Sequence, residues 1–191
     1  MGLNVLHKGS GVAVRNAKWY IAECKPTREL SIRACLQKAG YEVYVASRKE
    51  THIYKSRNRR EVERVLLSGR IFVRTEERKL MDILLAYSSV WRFQKNRAAK
   101  PNANGILPYA FVPEDQMQQL QFVLKESTTP VIFSVEDFHP NQEVQIIRGP
   151  MAGFRGWFTK KGHTAYIVIR VEMGQTNYVF SEILAEDVQP V

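Results

Sequence analysis

The spacing of apolar residues along this chain changes character near residue 130. Before that point, runs alternating residue by residue give way to runs spaced three and four apart; beyond it only alternation remains. Ala17 to Lys25 sets Trp19 and Ile21 against Tyr20, Ala22 and Cys24, which predicts a strand ended by Pro26-Thr27. Ile32, Cys35, Leu36 and Ala39 follow the i, i+3, i+4, i+7 rule, so Glu29 to Ala39 is expected to be a helix, with Thr27 or Arg28 near its cap and Gly40 stopping it. Tyr41 to Ala46 returns to strand. Ser47 to Arg64 is expected to be a long hairpin or a mobile loop, and Leu66 to Arg74 a strand in which Gly69 marks a bulge or a close backbone approach. Thr75 is expected to cap a helix from Glu76 to Tyr87 with Leu80, Ile83, Leu84 and Tyr87 along one face. Val90 to Lys95 is a short strand, and Asn96 to Ala110 a loop. Pro113 then opens a helix at its first position, with Met117, Leu120, Val123 and Leu124 as the buried stripe.

Residues 126–130, Glu-Ser-Thr-Thr-Pro, have no apolar period and form the expected linker. After it, Gln142 to Arg148, Gly153 to Thr159, Ala165 to Val171 and Asn177 to Phe180 read as short strands, and some 60 residues suit a barrel of about five. Within this half, Phe138 to Trp157 reads as strand, loop, strand. Val144 and Ile146 alternate with Glu143, Gln145 and Arg148; Gly149-Pro150 breaks the strand, and Gly153 and Gly156 let the backbone turn back without a β-carbon in the way. Residues 1–16, with Gly9-Ser10-Gly11, read as a flexible leader.

Charge is unevenly placed. Residues 131–191 hold five Lys or Arg and seven acids, a net of −2, while the other 23 bases and 12 acids give residues 1–130 a net of +11. Ser47 to Arg64 alone carries Arg48, Lys49, Lys55, Arg57, Arg59, Arg60 and Arg64 against Glu50, Glu61 and Glu63. Such asymmetry points to phosphates as partners, with a merely solubilising charge as the alternative. His52 and Tyr54 flank the basic run and are candidates for stacking on an exposed base. Hydrophobic residues at 45% exclude global disorder. No apolar run approaches the roughly 20 residues of a membrane span, and the amino terminus does not read as a secretory signal, so a cytoplasmic address is expected. Cys24 and Cys35 stand eleven apart with no second pair, which excludes the usual zinc spacings; both are expected in the core, and no metal or cofactor is expected.

Two blocks carry a family resemblance. Phe138-x-Pro140, Val144-x-Ile146, Gly149-Pro150 and Gly153-x-x-Gly156 resemble the KOW motif in order and spacing. Trp19-Tyr20, Pro26, Glu29, Leu36, Gly40, the run Leu67-Ser68-Gly69-Arg70-Ile71-Phe72-Val73 and Pro113 resemble the NusG amino-terminal domain. The divergence looks similar to specialised paralogues of the UpxY and RfaH types, found with capsular-polysaccharide operons.

The resemblance implies an α+β protein. Residues 17–125 would form an α/β sandwich with an antiparallel sheet, joined by residues 126–130 to a small SH3-like β-barrel at residues 131–191. It implies a monomeric transcription elongation or antitermination factor that docks on the clamp helices of RNA polymerase, near upstream or non-template DNA, and uses its barrel to contact Rho or a small-subunit ribosomal protein. Family docking uses a hydrophobic depression, whose positions here are Trp19, Tyr20, Leu67, Gly69 and Arg70, completed by Phe93; Arg70 stands where the family has tyrosine. The basic segment with Lys55, Arg57, Arg59 and Arg60, and with His52 and Tyr54 as stacking candidates, would lie near DNA. In the barrel, Gly149, Pro150, Gly153, Phe154 and Gly156 make the partner-binding loop, Phe154 being either an exposed aromatic or barrel core.

Catalysis has little support in the sequence. His7, His52, His139 and His163 are scattered, no Ser-His-Asp or Cys-His grouping is suggested, and no glycine-rich phosphate loop follows a strand, so the protein is expected not to be an enzyme. The other alternative is an RNA-binding or ribosome-associated KOW protein, for which a basic barrel would be expected instead of the −2 counted here.

Overall fold

The computed structural model describes residues 16–53, 59–134, 142–173 and 176–191. The expected leader lies almost wholly outside them, as do Phe138 and Pro140. The amino-terminal half is a mixed structure built on an antiparallel sheet in the order β2 (Glu42–Tyr44), β5 (Arg70–Thr75), β1 (Lys18–Cys24), β6 (Val90–Phe93), with β7 (Phe111–Val112) also pairing with β1. Strand β1 is apolar on both faces, so both must be covered. Tyr20, Ala22 and Cys24 pack with Ile71 and Val73 under α1 (Glu29–Lys38) and α2 (Leu80–Ala86). Trp19, Ile21 and Phe72 face the other way, under α3 (Glu114–Glu126). The expected hairpin is present as β3 (Ser47–Ile53) paired with β4 (Arg59–Val65).

Several local expectations are corrected. Residues 66–69 form a turn, and the strand begins only at Arg70. Gly69 sits at φ +72, its N–H donating to the buried carboxylate of Glu29 (2.6 Å) and its carbonyl accepting the Cys24 N–H (2.9 Å). That is the close backbone approach expected of it, made from a turn and not a bulge. Thr75 is buried at the end of β5 and caps nothing; a short 3-10 turn, Glu77–Lys79, leads into α2. Pro113 is extended (ψ 149) and occupies the capping position, one residue before the helix. Cys24 is buried, but Cys35 is exposed on α1.

The carboxy-terminal half is a six-stranded antiparallel sheet in the order β13 (Val188–Pro190), β9 (Gln142–Ile146), β10 (Arg155–Lys161), β11 (Thr164–Glu172), β12 (Thr176–Ile183), β8 (Val131–Ser134). The expected closure is not found: among the described residues β13 and β8 are free edges that do not pair with each other. Val144, Ile146, Met151 and Ile167 form its own small core.

The two halves share a second core. Ile169, Val171, Met173 and Val179 of the carboxy-terminal sheet pack into the cluster of Trp19, Ile21, Phe72 and the α3 stripe. Burying each large aliphatic is worth about 1.5–3 kcal/mol, so this contact is a substantial one. The expected linker is pinned along it. Ser127 bonds Ser181 hydroxyl to hydroxyl (2.8 Å), Thr129 donates to the Glu182 carbonyl (3.1 Å), and Arg48 donates to the carbonyls of Thr129 (2.8 Å) and Thr128 (3.0 Å). On α3, Phe122 stacks on Phe154 with centroids 5.3 Å apart and planes 18° off parallel.

Candidate functional site

The basic hairpin is fixed at its base and open further out. Glu63 on β4 accepts both terminal nitrogens of Arg33 on α1 (2.7 and 2.8 Å) and a bond from Ser47 Oγ, so three elements meet at one carboxylate. The Arg33 bond, working against burial, holds the Glu63 carboxyl below the usual range, and the same bond raises Arg33. Beside it, Lys49–Glu61 (3.9 Å) and Arg64–Glu50 (3.7 Å) are exposed pairs of little energetic weight. Arg59 and Arg60 are exposed on β4. Tyr54, Lys55 and Arg57 lie outside the described residues, as does the side chain of His52, whose backbone pairs with Arg60.

At the same end of the sheet lies a recess of about 300 Å³, lined chiefly by Glu23, Arg70, Arg92, Lys95, Arg97 and Met173. The register places Glu23 opposite Arg70 on one side and Arg92 on the other. Its carboxylate accepts Arg92 Nε (2.7 Å) and Gln94 Nε2 (3.1 Å). Burial alone would raise this acid; the bonds from Arg92 and Gln94, with the charges of Arg92 and Arg70, hold it below the usual range. Lys95 sits over the Tyr109 ring, 3.2 Å from its centroid.

The glycine-rich loop joins β9 to β10. Gly149 and Gly153 take φ +83 and +88, and the Gly153 N–H closes onto the Ile146 carbonyl at 2.7 Å. Gly156 is required by packing: a β-carbon there would lie 2.8 Å from Ile167 Cγ1 and 2.9 Å from the Val168 carbonyl oxygen. Gly149 and Pro150 are exposed, and Phe154 is half-buried against α3. Of its two sequence alternatives the exposed aromatic is not found: Phe154 packs against the small core of the carboxy-terminal sheet and, through Phe122, against the other half of the chain.

The residues expected to form one docking depression are not brought together as a surface. Tyr20 and Phe93 are 2% and 3% exposed beneath α1 and α2, while Trp19 is buried on the opposite face, its Nε1 donating to Glu114 (3.1 Å). Strand alternation is the reason, since neighbours such as Trp19 and Tyr20 must point to opposite faces. Burial and the nearby Glu77 push the Tyr20 hydroxyl up to about 12, and burial does the same to the Cys24 thiol, so both stay protonated. Leu67, Gly69 and Arg70 are half-buried. Sequence reasoning missed Glu23, Arg92, Lys95 and Arg97; the alternation of β1 put Glu23 on the Trp19 face, but its partners are 69 and 71 residues away. Among the described residues no group of three or more His, Cys, Asp or Glu is placed to hold a metal ion, and no helix is long and apolar enough to cross a membrane.

No curated protein matches the chain significantly by sequence. Among solved structures it is similar to Thermotoga maritima NusG, described for its domain interaction, at 18% identity over 92% of this chain and 98% of that one, with a TM-score of 0.43. A chain of the MjSpt4:Spt5 complex in conformation A is 15% identical over 91% of this chain and 97% of that one (TM-score 0.27). In conformation B the figures are 14%, 91% and 96%, with a TM-score of 0.30. The family described as transcription termination factor NusG matches residues 17–121, more than half of the chain, and the protein therefore belongs to the NusG family.

Proposed function

We propose that this protein is a transcription elongation and antitermination factor of the UpxY or RfaH kind, serving particular long operons such as capsular-polysaccharide loci. The amino-terminal half binds RNA polymerase at the clamp helices, and the basic hairpin lies against upstream or non-template DNA. The KOW-type half recruits or blocks a partner, either Rho or a small-subunit ribosomal protein. The work is adhesive and not catalytic. The observation that carries this reading is the match of residues 17–121 to a family of transcription factors. The exposed Arg59 and Arg60 on a hairpin anchored by Arg33 and Arg48 support the DNA contact, since fixed cations near phosphates supply affinity without reading sequence.

The test is run-off transcription with the cognate polymerase, with and without Rho. Read-through of a Rho-dependent terminator should rise when the protein is added, and the protein should co-purify with polymerase. Unchanged termination together with elution among ribosomes would sink this reading in favour of a ribosome-associated KOW protein.

A further inference from the structure

The recess beside Glu23 has a chemistry of its own. Arg70, Arg92, Lys95 and Arg97 face a single acid, a net of three positive charges around about 300 Å³. Among the described residues Arg70, Lys95 and Arg97 make no salt bridge. Arg92 spends its Nε on Glu23, and a guanidinium carries five N–H donors, so four remain. Lys95 is steadied by the Tyr109 ring, a contact that uses its charge without an anion. Glu23 itself orients the cluster through Arg92 and Gln94 and does not neutralise it.

The walls indicate the kind of anion. Nucleic-acid strands are tracked by open basic grooves in which aromatic faces stack on successive bases. This recess is instead bounded on one side by Met173, buried where the carboxy-terminal sheet meets the amino-terminal half. A phosphodiester brings bulky sugars on both sides, whereas an acidic side chain offers a carboxylate for the guanidiniums and methylenes for an apolar wall.

We propose that the recess bounded by Arg70, Arg92, Lys95 and Arg97 is a receptor for acidic side chains of a protein partner. This rests on the reading of the amino-terminal half as the polymerase-binding one, and replaces the expected aromatic depression by ionic recognition.

The experiment uses the full chain with three probes: a blocked hexaglutamate peptide, a short single-stranded DNA and cognate RNA polymerase. Peptide affinity is followed by the backbone amide shifts of Arg92 and Gln94. Arg92→Gln and Arg97→Gln should each weaken hexaglutamate binding, by about tenfold when combined, and reduce polymerase retention in parallel. DNA affinity should be unchanged, and the exposed Arg97 keeps the test valid if Arg92→Gln disturbs folding. Unaltered hexaglutamate affinity, or an equal loss for DNA, overturns the proposal. If polymerase is retained by all variants while hexaglutamate does not bind, the receptor is wrong and the polymerase reading stands. If hexaglutamate binding falls as expected while even the wild type ignores polymerase, the receptor stands and the polymerase reading fails.

Discussion

Truncating Phe122 to alanine isolates the contact between the two halves. Phe122 lies on α3 and stacks on Phe154 from the glycine-rich loop at 5.3 Å. Both rings are half-buried, so each gains roughly half of the 1.5–3 kcal/mol that full burial gives, and the stacked geometry adds about 0.5–1.5 kcal/mol. Phe122→Ala should therefore cost about 1.5–3 kcal/mol, which in a chain of this size lowers Tm by several degrees at about 2–4 °C per kcal/mol. Phe154→Ala should cost a similar amount, but the double variant should cost less than the sum by the coupling of about 0.5–1.5 kcal/mol. Urea denaturation of the four proteins in this cycle measures that difference directly. Coupling within about 0.3 kcal/mol of zero would mean that the rings do not meet in solution, and would refute a carboxy-terminal sheet seated on α3.

Three further outcomes are expected. Reversing Arg57, Arg59 and Arg60 to Glu should weaken binding to duplex DNA and flatten its salt dependence by about 0.9 in logarithmic slope for each phosphate no longer neutralised, read by anisotropy across a salt series. Because Arg33 depresses the folded-state carboxyl of Glu63, the stability from that pair is present above the unfolded value of about 4.3 and is lost as pH falls through the folded value; Glu63→Gln should cost about 1 kcal/mol at pH 7 and remove that part of the acid sensitivity in thermal melts between pH 7 and 3. Gly156→Ala should destabilise by about 1–3 kcal/mol through its collision with Ile167 and the Val168 carbonyl, whereas Arg155→Ala, exposed next door, should change little; equal melting of both would contradict the packing at β11.

What was legible in the sequence was whatever local spacing controls. The alternation of Trp19, Ile21 and their neighbours marked β1, the spacing of Met117, Leu120, Val123 and Leu124 marked α3, and the glycines at 149 and 153 marked a loop that needs positive φ. Boundaries failed where tertiary bonds decided them, as at Gly69, which is drawn into a turn by Glu29 forty residues earlier. The docking depression failed for a different reason: aligning residues with a motif says nothing about which face they occupy, and Tyr20 and Phe93 went under the helices while Arg70 did not. Neither Arg92 with Glu23 nor Arg33 with Glu63 could be paired from one sequence, because nothing local links positions so far apart.

Helix α3 serves two masters, giving one stripe to the amino-terminal sheet and Phe122 to the half that follows. The ribosome makes these halves in order. At about 5–20 residues per second, the 53 residues from Ser127 to Val179 take about 3–11 seconds to appear, far longer than a helix needs to form. For those seconds the nascent amino-terminal half carries Phe122 and the Trp19 face without the cover of Ile169, Val171 and Val179. Every newly made molecule thus passes through an uncovered stage, and the pace of translation, not diffusion, sets how long that apolar surface stands open to capture by other chains.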